Sequence, residues 1–542
     1  MTVAFGLACC GPAAAAPSHP GHAVLPGPLP AGRELQRLLL YPETLVELDR
    51  VRGPAVAGLL KRAGGELVSP PLQVWRVPTA AARHLLPALT HRRVVRSVTP
   101  DQPLDGDLWS GLFADLAEPL ASSEWWIPHV GADRWKPPGP GVPLTVLDSG
   151  LDVSHEEFAG RPNTKTLNKQ TFSEDESEEH GTAVSSVAAA PQNGVGIVGV
   201  YPRARLQSWD ISPLGVPTIG DELQGLAAVT GKGRGVLNIS FGGTTYFAVE
   251  EHAILAAFST GSLPVVSAGN FREILSPQEY PASFAHVLTV AATDQNDAVT
   301  VFSSASPSVD IAAPGLDIPV AVPVSLQPEG YITAGGTSVS TPIVSGAVAA
   351  IWTQRPRLDR TQIFELVRTS ARDLAPAGRD PDTGFGILNL PAAKTARAPG
   401  VDPQEPNEDI YLVKPNGISR VGHVPLTRPG RPQARFGARL DAADDPEDVY
   451  RVYLPARGRL TVTVKPSANV VVEVWGSLTR TVFERGSAQR RNLLAASAVA
   501  AQSTGKLVVR GGRLSRYVYL DVFPARRVPR AQYAVSLSTA RP

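Results

Sequence analysis

Three short segments constrain the fold of this chain more than any other feature, because they place an acid, an imidazole and a hydroxyl beside small residues. Asp148 follows the apolar run 144–147, His180 precedes a run of small residues at 183–190, and Ser338 lies in a Gly-Thr-Ser-x-x-x-Pro stretch. The run before Asp148 is typical of a buried parallel strand. Open α/β sheets place their sites at the carboxyl ends of such strands, so the pattern predicts an α/β domain with a site at one sheet edge.

These three residue types fit one kind of chemistry. A serine hydroxyl is a weak nucleophile at neutral pH and needs a base that takes its proton. Histidine has a suitable pKa, and a buried carboxylate orients the ring and stabilises the imidazolium. Asp148, His180 and Ser338 are therefore a candidate catalytic triad. The sequence also predicts a helix over 342–352, which would give Ser338 the benefit of a helix N-terminus.

The motifs resemble those of the subtilisin-like serine peptidases, the subtilases of peptidase family S8, over residues 123–395. The order Asp, His, Ser is that of this family, and His180 follows Asp148 by 32 positions, the family's common spacing. The resemblance implies a secreted serine endopeptidase that hydrolyses peptide bonds through an acyl-enzyme. The alternative from another class is a catalytically silent protein that binds peptides in the same cleft.

The resemblance also assigns residues around the nucleophile. Asn270 would donate its side-chain amide to an oxyanion hole, together with the backbone N–H of Ser338. Glu279 falls at the floor of the S1 pocket, where the family commonly has a small residue, so a carboxylate there favours Arg or Lys at P1. A solvated loop glutamate is the alternative for Glu279. The residues expected to contact substrate are Ser240, Phe241, Gly242, Ala268, Gly269 and Glu279.

A structural calcium ion is expected on the same resemblance. Calcium takes six to eight oxygen ligands, and both a carboxylate and a turn that directs carbonyls inward occur at the family's positions. The expected ligands are Glu157, Asn193 and the carbonyls of Pro191, Val195 and Ile197, with the ligand from the N-terminal arm not placed. A calcium-free turn is the alternative. The acidic run 174–179 predicts a solvated loop, with a second cation or a bias toward basic substrates as alternatives.

The chain has 542 residues and a net charge of +1, enough for three domains and without the basic blocks typical of nucleic-acid binding. No apolar run reaches the length of a membrane span. We also expect the protein to be a monomer. Residues 1–22 are predicted to be a signal segment, which indicates an extracellular protein. Both cysteines, Cys9 and Cys10, lie in it, and a lipid-anchoring motif at Cys9 (which would attach the protein to the cell envelope) is the alternative.

Residues 40–100 have the pattern βαββαβ, which is typical of a ferredoxin-like fold. This unit resembles the inhibitory propeptides that precede subtilase domains, and 101–122 would be the processing linker. The resemblance implies a zymogen that processes itself, with its own propeptide as intramolecular inhibitor. A permanent accessory domain is the alternative.

Short alternating runs separated by Gly and Pro follow a proline-rich linker at 398–415 and predict an antiparallel β-sandwich over 416–542. This part resembles the prepeptidase C-terminal domains of secreted bacterial peptidases, in the segments 402–408 and 448–450. The predicted fold class is therefore α/β. A subtilisin-like parallel-sheet domain, 123–397, is preceded by a ferredoxin-like α+β unit and followed by an all-β sandwich.

Overall fold

The computed structural model describes residues 41–92, 94–102, 120–172, 179–212, 217–374 and 376–541. The predicted signal segment 1–22 lies outside the described residues. So do residues 103–119 of the processing linker 101–122 and residues 174–178 of the acidic run 174–179.

The N-terminal domain is a four-stranded antiparallel sheet with two helices. Its elements are β1 (Glu43–Leu48), α1 (Pro54–Arg62), β2 (Glu66–Ser69), β3 (Val74–Pro78), α2 (Thr79–His91) and β4 (Val95–Pro100), with strand order β2-β3-β1-β4. Successive side chains of a strand face opposite sides. Val46 and Val77 therefore pack with the domain's own helices, whereas Leu45 and Val74 join a core shared with the next domain.

The central domain is built on a seven-stranded parallel sheet of order β11-β10-β9-β8-β5-β7-β6. Its strands are β5 (Pro143–Asp148), β6 (Thr164–Thr166), β7 (Arg205–Asp210), β8 (Gly235–Ile239), β9 (Ser262–Ser267), β10 (Leu288–Thr293) and β11 (Val309–Pro314), followed by the hairpin β12 (Ile318–Ala321) and β13 (Tyr331–Ala334). Helices cover both faces, so β9, β10 and β11 are buried along their whole length.

The helices of this domain place its polar side chains. They are α3 (Trp126–Val130), α4 (His180–Ala189), α5 (Ile219–Val229), α6 (Ala248–Ser259), α7 (Thr337–Gln354), α8 (Arg360–Thr369) and α9 (Leu390–Thr395). Helix α7 is buried from its first residue to Trp352, because small residues let it run through the core against α4 and the sheet.

The C-terminal domain is a sandwich of two four-stranded antiparallel sheets, of order β14-β21-β16-β19 and β15-β20-β17-β18. The strands are β14 (Gln433–Asp441), β15 (Asp448–Leu454), β16 (Arg459–Pro466), β17 (Val470–Trp475), β18 (Leu493–Val499), β19 (Gly505–Arg510), β20 (Arg516–Pro524) and β21 (Arg530–Ala540). Two short helices, α10 (Ile410–Val413) and α11 (Gly486–Asn492), precede and interrupt it. Alternate residues of both sheets, Val462 and Leu520 among them, fill one core.

Candidate active site

Asp148 and His180 meet at the carboxyl end of β5. Asp148 is the last residue of that strand and is 3% exposed, and His180 is the first residue of α4. The distance between His180 Nδ1 and Asp148 Oδ1 is 2.8 Å. The same Oδ1 accepts a hydrogen bond from the Ser149 backbone at 2.8 Å, which fixes the carboxylate. Asp148 therefore holds the ring of His180 through its Nδ1.

A close backbone approach makes this pairing possible. A Cβ on Gly181 would fall 2.2 Å from the carbonyl oxygen of Gly150, so only glycine allows the start of α4 to reach the turn after β5. The Gly181 N–H also donates to the hydroxyl of Ser149 at 2.9 Å. The small residues beside Asp148 and His180 are thus required by the contact between the two segments.

Ser338 and Asn270 come together at the start of α7. A Cβ placed on Gly336 would lie 3.0 Å from Ser338 Oγ and 3.5 Å from Asn270 Nδ2, so both atoms border the same small space. Asn270 Oδ1 accepts hydrogen bonds at 3.0 Å from both the N–H and the hydroxyl of Thr337. This fixes the amide orientation and presents Nδ2, which is buried and donates no hydrogen bond within the described residues. An unused, preoriented donor beside a hydroxyl fits an oxyanion hole.

The expected substrate-binding segments flank this space. Ser240 donates its hydroxyl to the Ser338 carbonyl at 3.0 Å, which ties the segment after β8 to the nucleophile. Further along, Gly243 and Tyr280 form an isolated antiparallel bridge, with both hydrogen bonds at 2.8 Å. Ala268, Gly269 and Asn270 follow β9, whose partner in the sheet is β8, so Phe241 and Gly242 lie on the neighbouring strand end.

Glu279 lies between these two segments and is 4% exposed. A Cβ on Gly269 would fall 1.7 Å from Glu279 Oε2, so the carboxylate rests directly against the backbone that precedes Asn270. Ser304 donates its hydroxyl to Glu279 Oε1 at 2.6 Å. The side chain is therefore buried inside the fold and is not the solvated loop glutamate of the alternative interpretation.

The expected calcium loop contains a carboxylate that sequence reasoning missed. Glu157 Oε1 accepts from the Ile197 N–H at 2.6 Å, and Glu124 Oε1 accepts from the neighbouring Val198 N–H at 2.8 Å. Burial raises the pKa of Glu157 to about 7 and that of Glu124 to about 8. Asn193 Oδ1 caps the turn by accepting from the Val195 N–H at 3.1 Å.

These groups fit a hard cation. Glu157 Oε2 is buried and accepts no hydrogen bond from the residues that the structure describes. Two carboxylates, an amide oxygen and turn carbonyls are the ligands that calcium prefers. Glu124 occupies the place where the ligand from the N-terminal arm was expected. The one feature of the sequence that could have pointed to Glu124 is its position directly before Trp125 and Trp126.

Comparisons with known proteins identify the family of this chain. The model of the subtilase family matches residues 139–386. Subtilisin BL of Lederbergia lenta is 33% identical over 258 residues, which cover 47% of this chain and 91% of that protein. Fervidolysin of Fervidobacterium pennivorans is 32% identical over 312 residues, which cover 52% of this chain and 44% of that protein.

A solved structure extends the likeness to most of the chain. The crystal structure of fervidolysin, described as a keratinolytic enzyme related to subtilisin, matches with a TM-score of 0.57 and covers 88% of this chain and 92% of that one. The sequence identity is 20%, so this match speaks for the fold alone. The fold class predicted from the sequence is confirmed.

Proposed function

Because the chain belongs to the subtilase family and is a subtilisin-type serine endopeptidase, we propose that Asp148, His180 and Ser338 are its catalytic triad. Ser338 Oγ attacks the scissile carbonyl while His180 takes its proton, and Asp148 holds the ring and stabilises the imidazolium. His180 then gives the proton to the leaving amine. Water hydrolyses the acyl-enzyme by the same route in reverse.

The observation that carries this proposal is the preoriented amide of Asn270 beside Ser338 Oγ. In the tetrahedral intermediate the carbonyl oxygen becomes negatively charged, and Asn270 Nδ2 and the Ser338 N–H would donate to it. Loss of one such donor costs about 10²–10³-fold in kcat. A binding protein with a silent cleft has no need for this unused donor.

The test is expression of the wild-type chain, Ser338→Ala and Asn270→Ala, with hydrolysis of casein and labelling by a serine-reactive phosphonate. We expect wild type to hydrolyse and label, Ser338→Ala to do neither, and Asn270→Ala to label while turning over about 10²-fold more slowly. Ser340→Ala is the matched control, because Ser340 lies one half-turn further along α7 and donates to Ala313 at 3.1 Å. Equal activity of wild type and Ser338→Ala would exclude the triad.

The N-terminal domain is proposed to be an inhibitory propeptide that the enzyme removes by cleavage within 101–122. Its sheet covers helices of the catalytic domain through a shared apolar core, as expected for a unit that folds with its enzyme. Intact mass separates this from a permanent accessory domain. Wild type should lose roughly its first hundred residues while Ser338→Ala keeps them; retention of the domain by active wild type would favour the accessory domain.

We also propose that the S1 pocket prefers Arg or Lys, on account of Glu279. A P1 side chain enters the space between the segment after β8 and the segment after β9. The Glu279 carboxylate rests against Gly269 at this point. A buried carboxylate at that point favours a cation that desolvates with it, and truncating one partner of such a pair costs about 2–5 kcal/mol.

A P1 series of peptide substrates tests this preference. Wild type should have its highest kcat/KM for Arg or Lys, and Glu279→Gln should lower that value about 30-fold or more while changing Leu and Phe little. Ser276→Ala serves as a control, because Ser276 belongs to the same loop and its hydroxyl accepts only from the Ala305 N–H at 2.9 Å. Equal or better cleavage after Leu or Phe by wild type contradicts the proposal.

A calcium ion is proposed at the loop of Glu157, with Glu124, Asn193 and the carbonyls of Pro191, Val195 and Ile197 as further ligands. It would neutralise two carboxylates whose ionisation burial disfavours. EDTA should lower the Tm of Ser338→Ala by several degrees, and calcium should restore it. An unchanged Tm in EDTA, or an equal fall in Glu157→Gln, argues against this site.

The enzyme is proposed to act outside the cell as a monomer, with proteins or peptides as substrates. Its relatives include subtilisins, and among the described residues no helix combines the length and apolar character that crossing a membrane requires. Detection of the processed enzyme in the culture medium of an expressing bacterium, and its mass in solution, test both statements.

A further inference from the structure

The charge of the chain is distributed very unevenly between its domains. Residues 416–542 carry 21 Lys and Arg against eight Asp and Glu, whereas residues 123–415 carry 19 against 32. The net charge of +1 therefore combines a sandwich of charge +13 with a catalytic domain and linker of charge −13. An asymmetry of this size indicates that the basic part has an anionic partner.

The fold of the sandwich places its acidic side chains inside and its basic side chains outside. Six of the eight carboxylates are buried, and the other two, Glu473 and Glu484, are half-buried. Of the 21 basic side chains, 18 are exposed, and only Arg439, Arg451 and Arg530 are half-buried. The carboxylates that could neutralise the surface thus lie in the interior, and the surface of this domain is almost entirely cationic.

One sheet of the sandwich concentrates exposed cations on a single side. In the sheet β14-β21-β16-β19, alternate residues fill the core of the sandwich, so the residues between them lie on the outer side. Five exposed cations lie on this outer side, and we call them the basic face: Arg435, Arg459, Lys465, Lys506 and Arg510.

The strand register puts hydroxyl groups between these cations. One row across all four strands has a cation at each end and two hydroxyl residues between them: Arg435, Ser536, Thr463 and Lys506. The next row on the same side has Ser538 beside Thr461. With neighbouring strands about 4.8 Å apart, a row is about 14 Å wide. The outer side therefore presents a flat hydroxyl centre with a cationic rim.

Two cations of the basic face oppose each other. Arg459 of β16 pairs directly with Arg510 of β19, and like charges in directly opposite positions destabilise a sheet. Within the described part of the chain, the ion pairs of this sheet involve Arg439, Arg530 and Asp441, none of which belongs to the basic face. An anion bound between Arg459 and Arg510 would remove the repulsion.

The uncharged residues of the outer side distinguish between kinds of polyanion. Among the outer positions of these four strands, all of which the structure describes, none is aromatic and Val508 is the one large apolar residue. Proteins that bind single-stranded nucleic acids stack bases on aromatic side chains, and membrane-surface segments insert apolar ones. Hydroxyl groups instead donate to and accept from other hydroxyl groups, as sugars require.

We propose that the basic face binds an anionic polysaccharide. The sulfate, phosphate or carboxylate groups of this extended polymer pair with the five cations, and its hydroxyls bond to the Ser and Thr residues between them. Three of the cations are arginines, which form bidentate pairs with such groups. The negative charge of residues 123–415 keeps the catalytic domain off the same polymer, so the sandwich anchors the peptidase and leaves its cleft free.

The test uses the full chain carrying Ser338→Ala, which prevents self-digestion, with a heparin oligosaccharide as the probe. Titration at several salt concentrations gives the affinity and its salt dependence. Binding to a polyanion releases counterions, so each paired cation contributes about one to the slope of log K against log salt. Arg459→Gln with Arg510→Gln should lower this slope by about two, and the affinity about tenfold or more at physiological salt.

The control is Arg490→Gln with Arg491→Gln. This pair removes the same charge, and both side chains are exposed on α11, outside the sheet of the basic face. We expect its slope and its affinity for heparin to stay close to those of the parent chain.

A second measurement does not depend on any variant of the face. Lys465 and Lys506 are the two lysines of residues 416–542, and both belong to the basic face. Acetylation followed by mass spectrometry should show that the heparin oligosaccharide protects both of them. Lys165 and Lys169, which are exposed on the catalytic domain, should react equally with and without it.

Four results would overturn the proposal. Equal losses in the two arginine pairs would show that total charge binds heparin, and unprotected Lys465 and Lys506 would exclude the basic face. Tighter binding to a DNA duplex or to phosphatidylglycerol vesicles than to heparin would make the partner another polyanion. Salt-sensitive self-association without heparin would assign the face to the acidic surface of a second copy.

Discussion

The catalytic domain is attached to its two neighbours by interfaces of opposite character. The N-terminal domain presents an apolar sheet face, with Leu45, Leu72 and Val74 in a core shared with helices α5 and α6. The sandwich is joined through charges, with Arg368 at the centre of four carboxylates. The first interface resembles one that can separate, whereas the second resembles the inside of a single domain.

The N-terminal interface has one buried ion pair in its apolar centre. His252 Nδ1 of α6 lies 3.0 Å from Glu47 Oε2 of β1, and both side chains are almost fully buried. Burial alone would lower the pKa of His252, but the charge and hydrogen bond of Glu47 outweigh it and raise that pKa. Glu251 acts in the same direction, and Arg96 opposes it. A single titratable pair therefore controls much of this contact.

The C-terminal interface is held by several ion pairs that share the same charged groups. Arg368 Nη1 lies 2.9 Å from Asp310 in its own domain and 2.5 Å from Asp444 in the sandwich, and all three side chains are buried. Separation of the domains would leave Asp310 and Arg368 with fewer partners in a region built to exclude water. Uncompensated buried charges are expensive, so the sandwich is expected to remain attached after the proposed removal of the N-terminal domain.

The largest expected effect is at this charged network. Arg368→Met keeps the volume but takes away one of the two arginines that Asp310, Asp441 and Asp444 share, the other being Arg379, which should destabilise the chain by about 3–5 kcal/mol. The measurement is the shift in urea midpoint of Ser338→Ala, followed by a signal from the sandwich.

The control for this variant is Arg372→Met. Arg372 pairs with Asp297 at 2.8 Å, but its side chain is 46% exposed, so we expect a loss below about 1 kcal/mol. Equal shifts for the two arginine variants would show that burial of the network does not matter, and the contrast between the interfaces would fail.

The next effect is a pH dependence at the N-terminal interface. Because the pKa of His252 is raised, its contribution is complete at low pH and is lost as pH rises through that raised value. The pKa of Glu47 is lowered, because its pairing with His252 outweighs burial, so its contribution is lost only as pH falls through the lowered value. The N-terminal domain should therefore be held most firmly at mildly acidic pH and loosen at alkaline pH.

Hydrogen exchange of β1 and β3 in Ser338→Ala, corrected for intrinsic rates, measures this loosening. We expect opening to become about tenfold more frequent when His252 loses its proton, the equivalent of about 1.4 kcal/mol. Glu47→Gln should remove the pH dependence while keeping a hydrogen bond to His252. A slope that persists in Glu47→Gln would assign it to other groups.

The three residues of the proposed triad could be picked out of the sequence because their motifs are local. A buried strand that ends in Asp148, and small residues beside His180 and Ser338, are visible in short windows of sequence. Glu124 and the contact between His286 and Glu408 were not, because Glu124 meets the loop at Val198, and His286 meets Glu408, only through tertiary folding. No spacing rule links residues that lie so far apart in the sequence.

The sandwich shows the same limit at the level of strands. The alternating runs at 448–454, 459–464, 470–475, 506–510, 517–523 and 533–537 predict six of its strands, whereas neither β14 nor β18 was predicted. Strand β18 contains mostly Ala and Leu, without the β-branched alternation, and β14 is interrupted by Gly437. Their positions are set by pairing with β17 and β21, so the partner strands decide what the local sequence leaves open.

The smallest expected effect concerns the end of the N-terminal sheet. Arg76 of β3 lies 2.6 Å from Asp101 and 3.0 Å from Asp221 at the start of α5, and Asp101 Oδ1 accepts from the Gly220 N–H at 2.9 Å. Arg76→Gln removes a cation that pairs with four carboxylates at the rim, the other two being Glu43 and Glu66, and water can replace part of it there. We expect a loss of about 1 kcal/mol.

This rim contact should matter for the processing step more than for stability. Asp101 is the first residue of the segment proposed to be cleaved and is held by Arg76 and the Gly220 N–H. Arg76→Gln should therefore speed self-cleavage of the otherwise wild-type chain a few-fold, measured by intact mass over time. Arg83→Gln, an exposed charge on α2, is the control. If Arg76→Gln instead slowed cleavage or changed the pH dependence seen with His252, the N-terminal interface would behave as one charged network like the C-terminal one. The contrast between a separable apolar contact and a permanent charged one would then have to be given up.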